Sequence, residues 1–259
     1  MKKIINKNTI LGLIVGIIIS GVTVYAVETK YKAEDVKYKE TTVKAALDDL
    51  YSKNNKEEVY NKLFNNNKYL LKNGTQIKKD SNGNYYFDFD GVDDYIQLAT
   101  IPESVNFSDG FTIEFKAKWD AFNKWSRIFD FGNGFENYNL FVATYNTTNK
   151  LAFSSREGSK ERFAKTEVVE LNSNSFSIYK IEIIKKSENN YNVKFYKDNE
   201  LVNEFTESAM FPNVERINNY IGKSNFDADA YFDGQIYYLK IKQADGISIV
   251  DVDANDIFK

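Results

Sequence analysis

Three carboxylates fall within five residues in the run Asp90-Gly91-Val92-Asp93-Asp94. A hard cation such as Ca²⁺ takes about six to eight oxygen ligands, and a tight turn supplies carboxylates and backbone carbonyls together. Asp90, Asp93 and Asp94 are therefore candidate ligands of a structural calcium ion. The same side chains could instead accept hydrogen bonds from their own backbone, as Asp does in Asx turns. A second group, Asp227, Asp229 and Asp233, lacks the ligand spacing of an EF-hand loop and reads as a solvated turn. Asp251, Asp253 and Asp256 form a weaker third group. Trp125, Tyr138 and Tyr145 are candidate ligand-binding rings, because sugars present apolar C–H patches and hydroxyls side by side and aromatic faces suit them. Arg156 and Arg162, with Lys160 and Glu161 nearby, read as a mobile charged loop rather than a carboxylate clamp.

The residue types that are missing narrow the chemistry further. The 259 residues contain no Cys and no His. That removes disulfides, thiol nucleophiles, Ser-His-Asp and Cys-His catalysis, and the commonest transition-metal ligands. Catalysis would have to run on carboxylates, Tyr or Lys. The formal net charge of −3 is spread over mixed Lys and Asp/Glu with no basic stripe, so nucleic acid is not an expected partner.

The acidic turn needs strands to hold it. Tyr85, Phe87 and Phe89 alternate with more polar neighbours, which predicts a strand with one buried face, and Tyr95–Leu98 returns from Gly91 as its hairpin partner. Phe111–Trp119 (FTIEFKAKW) alternates over nine residues and places Trp119 in the core. Further strands are predicted at Arg127–Phe131, Asn139–Ala143, Leu151–Ser154, Tyr179–Ile184, Tyr191–Tyr196, Tyr220–Gly222 and Gln235–Lys242. Short strands divided by Gly, Asn and Asp clusters, with 2 Pro in the chain, predict an all-β sandwich or barrel.

Upstream, Lys2, Lys3 and Lys7 precede an apolar run that ends at Val24-Tyr25-Ala26. Residues 1–27 read as a signal peptide or as a membrane anchor, with membrane contact through residues 9–27 if uncleaved. Either way the bulk of the chain is expected outside, secreted or held on the extracellular face of the cytoplasmic membrane. Residues 28–84 read as a polar, partly helical connector: Val36, Val43 and Leu50 hint at a short seam through which the chain could oligomerise, Thr41-Thr42 offer a helix cap, and Glu57–Phe64 suggests a second helix. The sandwich is expected over 85–245 and a tail over 246–259.

FDFDGVDDYIQL, FTIEFKAKW, WSRIFDFGNG, YIGKS and YFDGQIYYLKI occur in the order of a laminin-G-like, concanavalin A-like lectin/glucanase domain, which the stretch Tyr85–Gln243 resembles. The resemblance implies a jelly roll of two antiparallel sheets, in many such domains with structural calcium. It also implies a packed aromatic just before RIFDFG, which is the position of Trp125. Tyr237-Tyr238 stands where many relatives carry acidic residues. Glucanases of the superfamily place a Glu, an Asp and another Glu on alternate positions of one strand, and neither Glu167–Glu170 nor Glu182 reproduces this. The expected role is a non-catalytic exported module that binds a glycan or glycosylated surface protein. A structural or adhesive contact with a protein partner is the alternative, and a glycan-active hydrolase a more distant one.

Overall fold

The computed structural model describes residues 69–258, together with two short strands, Lys37–Tyr38 (β1) and Thr41–Thr42 (β2). The chain divides into two compact units, Met1–Asn66 and Asn67–Lys259. In the first, β1 and β2 pair antiparallel. Thr41 and Thr42, expected to cap a helix, lie in β2; the export segment and the rest of the helices expected of the connector lie outside the described residues.

The second unit is a sandwich of two antiparallel sheets. One sheet carries, in spatial order, β11 (Lys160–Lys165), β10 (Leu151–Glu157), β9 (Leu140–Thr144), β8 (Arg127–Gly132), β15 (Asn218–Ile221), β6 (Tyr95–Leu98) and β3 (Tyr69–Lys72). The other carries β14 (Glu200–Ser208), β13 (Asn190–Lys197), β12 (Ser177–Ser187), β7 (Gly110–Ala121), β16 (Asp233–Gln243), β5 (Tyr85–Asp90) and β4 (Gln76–Lys79). One edge of β16 is shared: β5 takes its first residues, and β17 (Ser248–Asp253) takes Tyr238–Lys242.

β7 shows how the alternation builds the core. Phe111, Ile113, Phe115, Ala117 and Trp119 are buried, and the residues between them are half-buried on the outer face. Trp119 packs edge-on against Tyr179 and Phe232, and its Nε1 donates to Thr144 Oγ1 of the opposite sheet at 3.1 Å. A buried indole thus finds its one polar partner across the sandwich. Emptying such a site to Ala would cost about 3–5 kcal/mol.

The sandwich is longer than the alternation suggests. β3 and β4 belong to the sheets rather than to the connector, because Tyr69 and Leu71 bury their side chains and β4 pairs with β5. β17 lies within the expected tail, where Val250 and Val252 are buried, and a 3-10 turn, Ala254–Phe258, follows with Ile257 buried. Arg156 and Arg162 lie on β10 and β11, not in a mobile loop: Arg162 pairs with Glu157, and Phe163 supplies the buried anchor that holds β11.

β8 and β9 differ from the half-buried strands expected. Every residue in both is buried. Segment 224–226 crosses the outer side of this sheet: the Asn225 amide reaches Asp130 and the Asn218 carbonyl, and Phe226 meets the Phe141 ring edge-on at 6.4 Å. The crossing divides the outer face into a part over β15 and β6 and a part over β9 and β10.

Candidate functional site

The acidic turn joins β5 to β6, which do not pair as the expected hairpin: β5 pairs with β4 and β16 in one sheet and β6 with β3 and β15 in the other, so the turn carries the chain between the sheets. Gly91 has φ 74, and a Cβ there would stand 2.7 Å from the Asp233 Cβ, so only glycine fits. Asp90 Oδ1 accepts from the Val92 amide at 2.8 Å, an Asx turn, and the Asp90 amide in turn donates to Asp94 Oδ2 at 3.1 Å. Asp94 is only 4% exposed, and its Oδ1 is buried without a hydrogen-bond partner beside Gly74. Burial and then the Asp90 charge push Asp94 up to about 7, against the pull of the Asp90 amide. One carboxylate oxygen from each of Asp90, Asp93 and Asp94 lies within 4.8 Å of the others. Asp90 Oδ1 thus serves the backbone as in an Asx turn, while Asp94 Oδ1 is left buried without a hydrogen-bond partner.

The second acidic group does not form a site. Asp227 is exposed, and Asp233 pairs in register with Asp90 across β16 and β5. Asp229 turns inward instead of being solvated. Its Oδ2 accepts from Arg127 Nη2 at 2.6 Å and Ser224 Oγ at 3.0 Å. Arg127 also bonds Asp130 at 3.3 Å and the Trp125 carbonyl at 2.5 Å, and its guanidinium carbon lies 4.1 Å from the Phe141 ring centroid. Asp130 is fully buried and accepts from Asn139 Nδ2 at 3.0 Å and from Asn225 N and Nδ2 at 3.1 and 3.0 Å. This network pins segment 224–229 onto the sheet. Of the third group, Asp251 and Asp253 lie within 4 Å of Lys240 Nζ, and Asp253 Oδ1 accepts from the Asn255 amide.

The candidate rings do not converge. Trp125, at φ 51, packs edge-on against Tyr145 with centroids 5.3 Å apart. Tyr138 lies at the opposite end of β9, on the order of 20 Å away by strand length. Its carbonyl accepts from the buried Arg216. Three rings that the alternation assigns only to strands and a turn do come together. Tyr95 meets Tyr220 edge-on at 5.6 Å and Tyr231 at 6.5 Å, and Lys223 Nζ lies 4.7 and 4.9 Å from the Tyr95 and Tyr220 centroids. All four are half-buried on the outer face over β15 and β6. The readable signal was the polar phase of the tyrosines: Tyr95 and Tyr220 alternate with the buried Ile96 and Ile221, so they had to face outward.

Two antiparallel sheets packed face to face, with aromatic and charged side chains on the outer side of one, define a lectin-like jelly roll. Residues 90–243 match the family model of the concanavalin A-like lectin/glucanases superfamily, and the chain belongs to it. No curated protein matches the chain. Among solved structures, full-length tailspike protein 2 of an Escherichia coli O157:H7 bacteriophage is similar at TM-score 0.51 and 7% identity, over 75% of this chain and 31% of that one. This chain thus spans about a third of the tailspike. Domain 4 of AbnA, an extracellular arabinanase of Geobacillus stearothermophilus in complex with arabinotriose, matches at TM-score 0.48 and 14% identity over 72% of this chain and 80% of that one. The CBM40 of the Ruminococcus gnavus IT-sialidase bound to sialyllactose matches at TM-score 0.45 and 9% identity, over 71% and 97%. At these identities the likeness is one of fold.

Proposed function

We propose that the sandwich is a non-catalytic module that binds glycans outside the cell, delivered there by residues 1–27. The observation that carries this reading is the Tyr95–Tyr220–Tyr231 cluster with Lys223. It offers ring faces and a cation on an outer sheet face, the mixture that sugar C–H patches and hydroxyls require. Membership of a lectin/glucanase superfamily supports it. Glu170 and Glu182 each pair with a lysine, Lys150 and Lys180, rather than with a second carboxylate. The test is a glycan array probed with the full chain and with Tyr220→Ala. Base-type stacking on one aromatic ring is worth about 1–3 kcal/mol, and loss of a sugar-stacking ring should likewise weaken binding by roughly five- to a hundredfold. Uniformly blank arrays would overturn the proposal.

Calcium enters the same reading. Asp94 Oδ1 and the neighbouring Asp90 and Asp93 carboxylates fit a hard oxygen-seeking cation, and Ca²⁺ held there would lock the β5–β6 turn that leads directly into Tyr95. Its contribution would be structural.

A further inference from the structure

On the other side of the 224–226 crossing lies a second cluster that the tyrosines do not share. β10 alternates Leu151 and Phe153 into the core, so Ser154 and Arg156 face outward. Ser154 Oγ and Arg156 Nε are both buried and neither has a hydrogen-bond partner. Among the described residues, the other buried side-chain atoms without partners, on Asp94, Asn192 and Asn219, are carbonyl or carboxylate oxygens, so these two are the ones that can donate. Leaving a buried donor unanswered costs about 1–3 kcal/mol, which a folded chain tolerates where a ligand supplies the acceptor.

The surroundings indicate which acceptor. Arg156 Nη1 bonds the Ser159 carbonyl at 2.8 Å and lies 3.3 Å from Glu136 Oε1. Glu136 is a left-handed residue (φ 48) in the loop between β8 and β9, next to Phe135, whose side chain is 67% exposed. Phe135 packs on Phe226 at 5.0 Å, and the Arg156 guanidinium carbon is 5.7 Å from the Phe226 ring. A carboxylate already sits against the arginine, presented by a strained loop, with an exposed ring beside it. Arg162, the other outward arginine here, is closed on Glu157 and offers nothing.

We propose that Ser154, Arg156 and Phe135 form a subsite for an acidic sugar. The sugar carboxylate displaces Glu136 and accepts from Arg156 Nε and Ser154 Oγ, while the ring lies on Phe135. Without ligand, Glu136 pairs with Nη1 of the same guanidinium and competes for its charge. The sugar class rests on the glycan reading above; the subsite itself rests on the unanswered donors.

The test uses the full chain on an array of uronic- and sialic-acid-terminated glycans printed beside their carboxyl-reduced counterparts. Acidic forms should bind about tenfold or more above the reduced forms, the value of one charge-assisted hydrogen bond. Arg156→Lys, which keeps the charge and removes Nε, and Ser154→Ala should each erase most of that preference. Glu136→Gln should strengthen acidic binding several-fold. Ser154→Ala should melt no lower than the parent, since its hydroxyl holds nothing in the fold. Equal binding of acidic and reduced glycans, or wild-type preference in Ser154→Ala and Glu136→Gln, would overturn the subsite and leave glycan binding standing. If no glycan binds at all, both fall. Should Arg156→Lys fail to fold, the other two variants decide.

Discussion

Asp94 and Asp130 are carboxylates sealed inside the same sandwich, and their surroundings answer them differently. Asp130 receives Arg127, Asn139 and both nitrogens of Asn225, so each of its oxygens has partners. Asp94 receives one amide on one oxygen, while Asp90 and Asp93 add negative charge nearby. Burial alone therefore does not mark a site. A carboxylate whose oxygens are all answered is a fastener; one left with a bare oxygen among other acids is driven toward its protonated form.

The contrast can be broken from either end, and the larger effect belongs to Asp130. Arg127→Met leaves Asp130 and Asp229 buried without their cation, and breaking a buried pair from one side costs about 3–5 kcal/mol. In a domain of this size that amounts to a fall in melting temperature of roughly 10 °C. Calorimetry showing a fall of only a degree or two would mean the network is ornamental.

At Asp94 the effect is smaller and depends on pH. In chelator, the folded state holds the Asp94 proton up to about 7, whereas an unfolded Asp releases it near its ordinary value of 3.8. Between those values folding takes up a proton, so stability falls as pH rises, by about 2–4 kcal/mol across the window. Asp94→Asn should flatten that slope, as read by urea unfolding at a series of pH values. A slope identical to that of the parent would show that Asp94 does not carry it.

Smaller again is the response to calcium, about 1–3 kcal/mol of stabilisation at concentrations well above the dissociation constant. It should raise the melting temperature of the parent and be lost when Asp93 and Asp94 are both changed to Asn. In chelator, that double change should not lower the melting temperature. Equal losses with and without calcium would leave the turn a turn.

The same contrast shows what the sequence makes legible. Asp90, Asp93 and Asp94 are close in space because they are close in the chain, so their grouping could be read directly. Asp130 meets Asn225 and Arg127 meets Asp229 only because β8 and β15 are neighbours in the sheet and the segment after β15 crosses over β8, and no local pattern carries that. β7 was readable because a nine-residue alternation has a single interpretation. β14 was not, since its residues are exposed or half-exposed throughout and no buried face betrays it. β3 and β4 were hidden in a Lys- and Asn-rich stretch, where a four-residue edge strand needs little apolar signal. The unanswered donors on β10 could not be seen at all, because having no partner is a property of the neighbours and not of Ser154 or Arg156.

The strand order has a consequence for how such a chain is made. The two strands flanking the acidic turn are completed late, each in its own sheet: β5 by β16, and β6 by β15, which begins at Asn218. A polypeptide emerging from its N-terminus, at a ribosome or at the far side of a membrane, presents Phe87, Phe89, Ile96 and Leu98 long before the strands that cover them exist. Pairings so distant along the chain fold slowly. The domain is thus expected to remain an open polymer until β15 and β16 are free to pair.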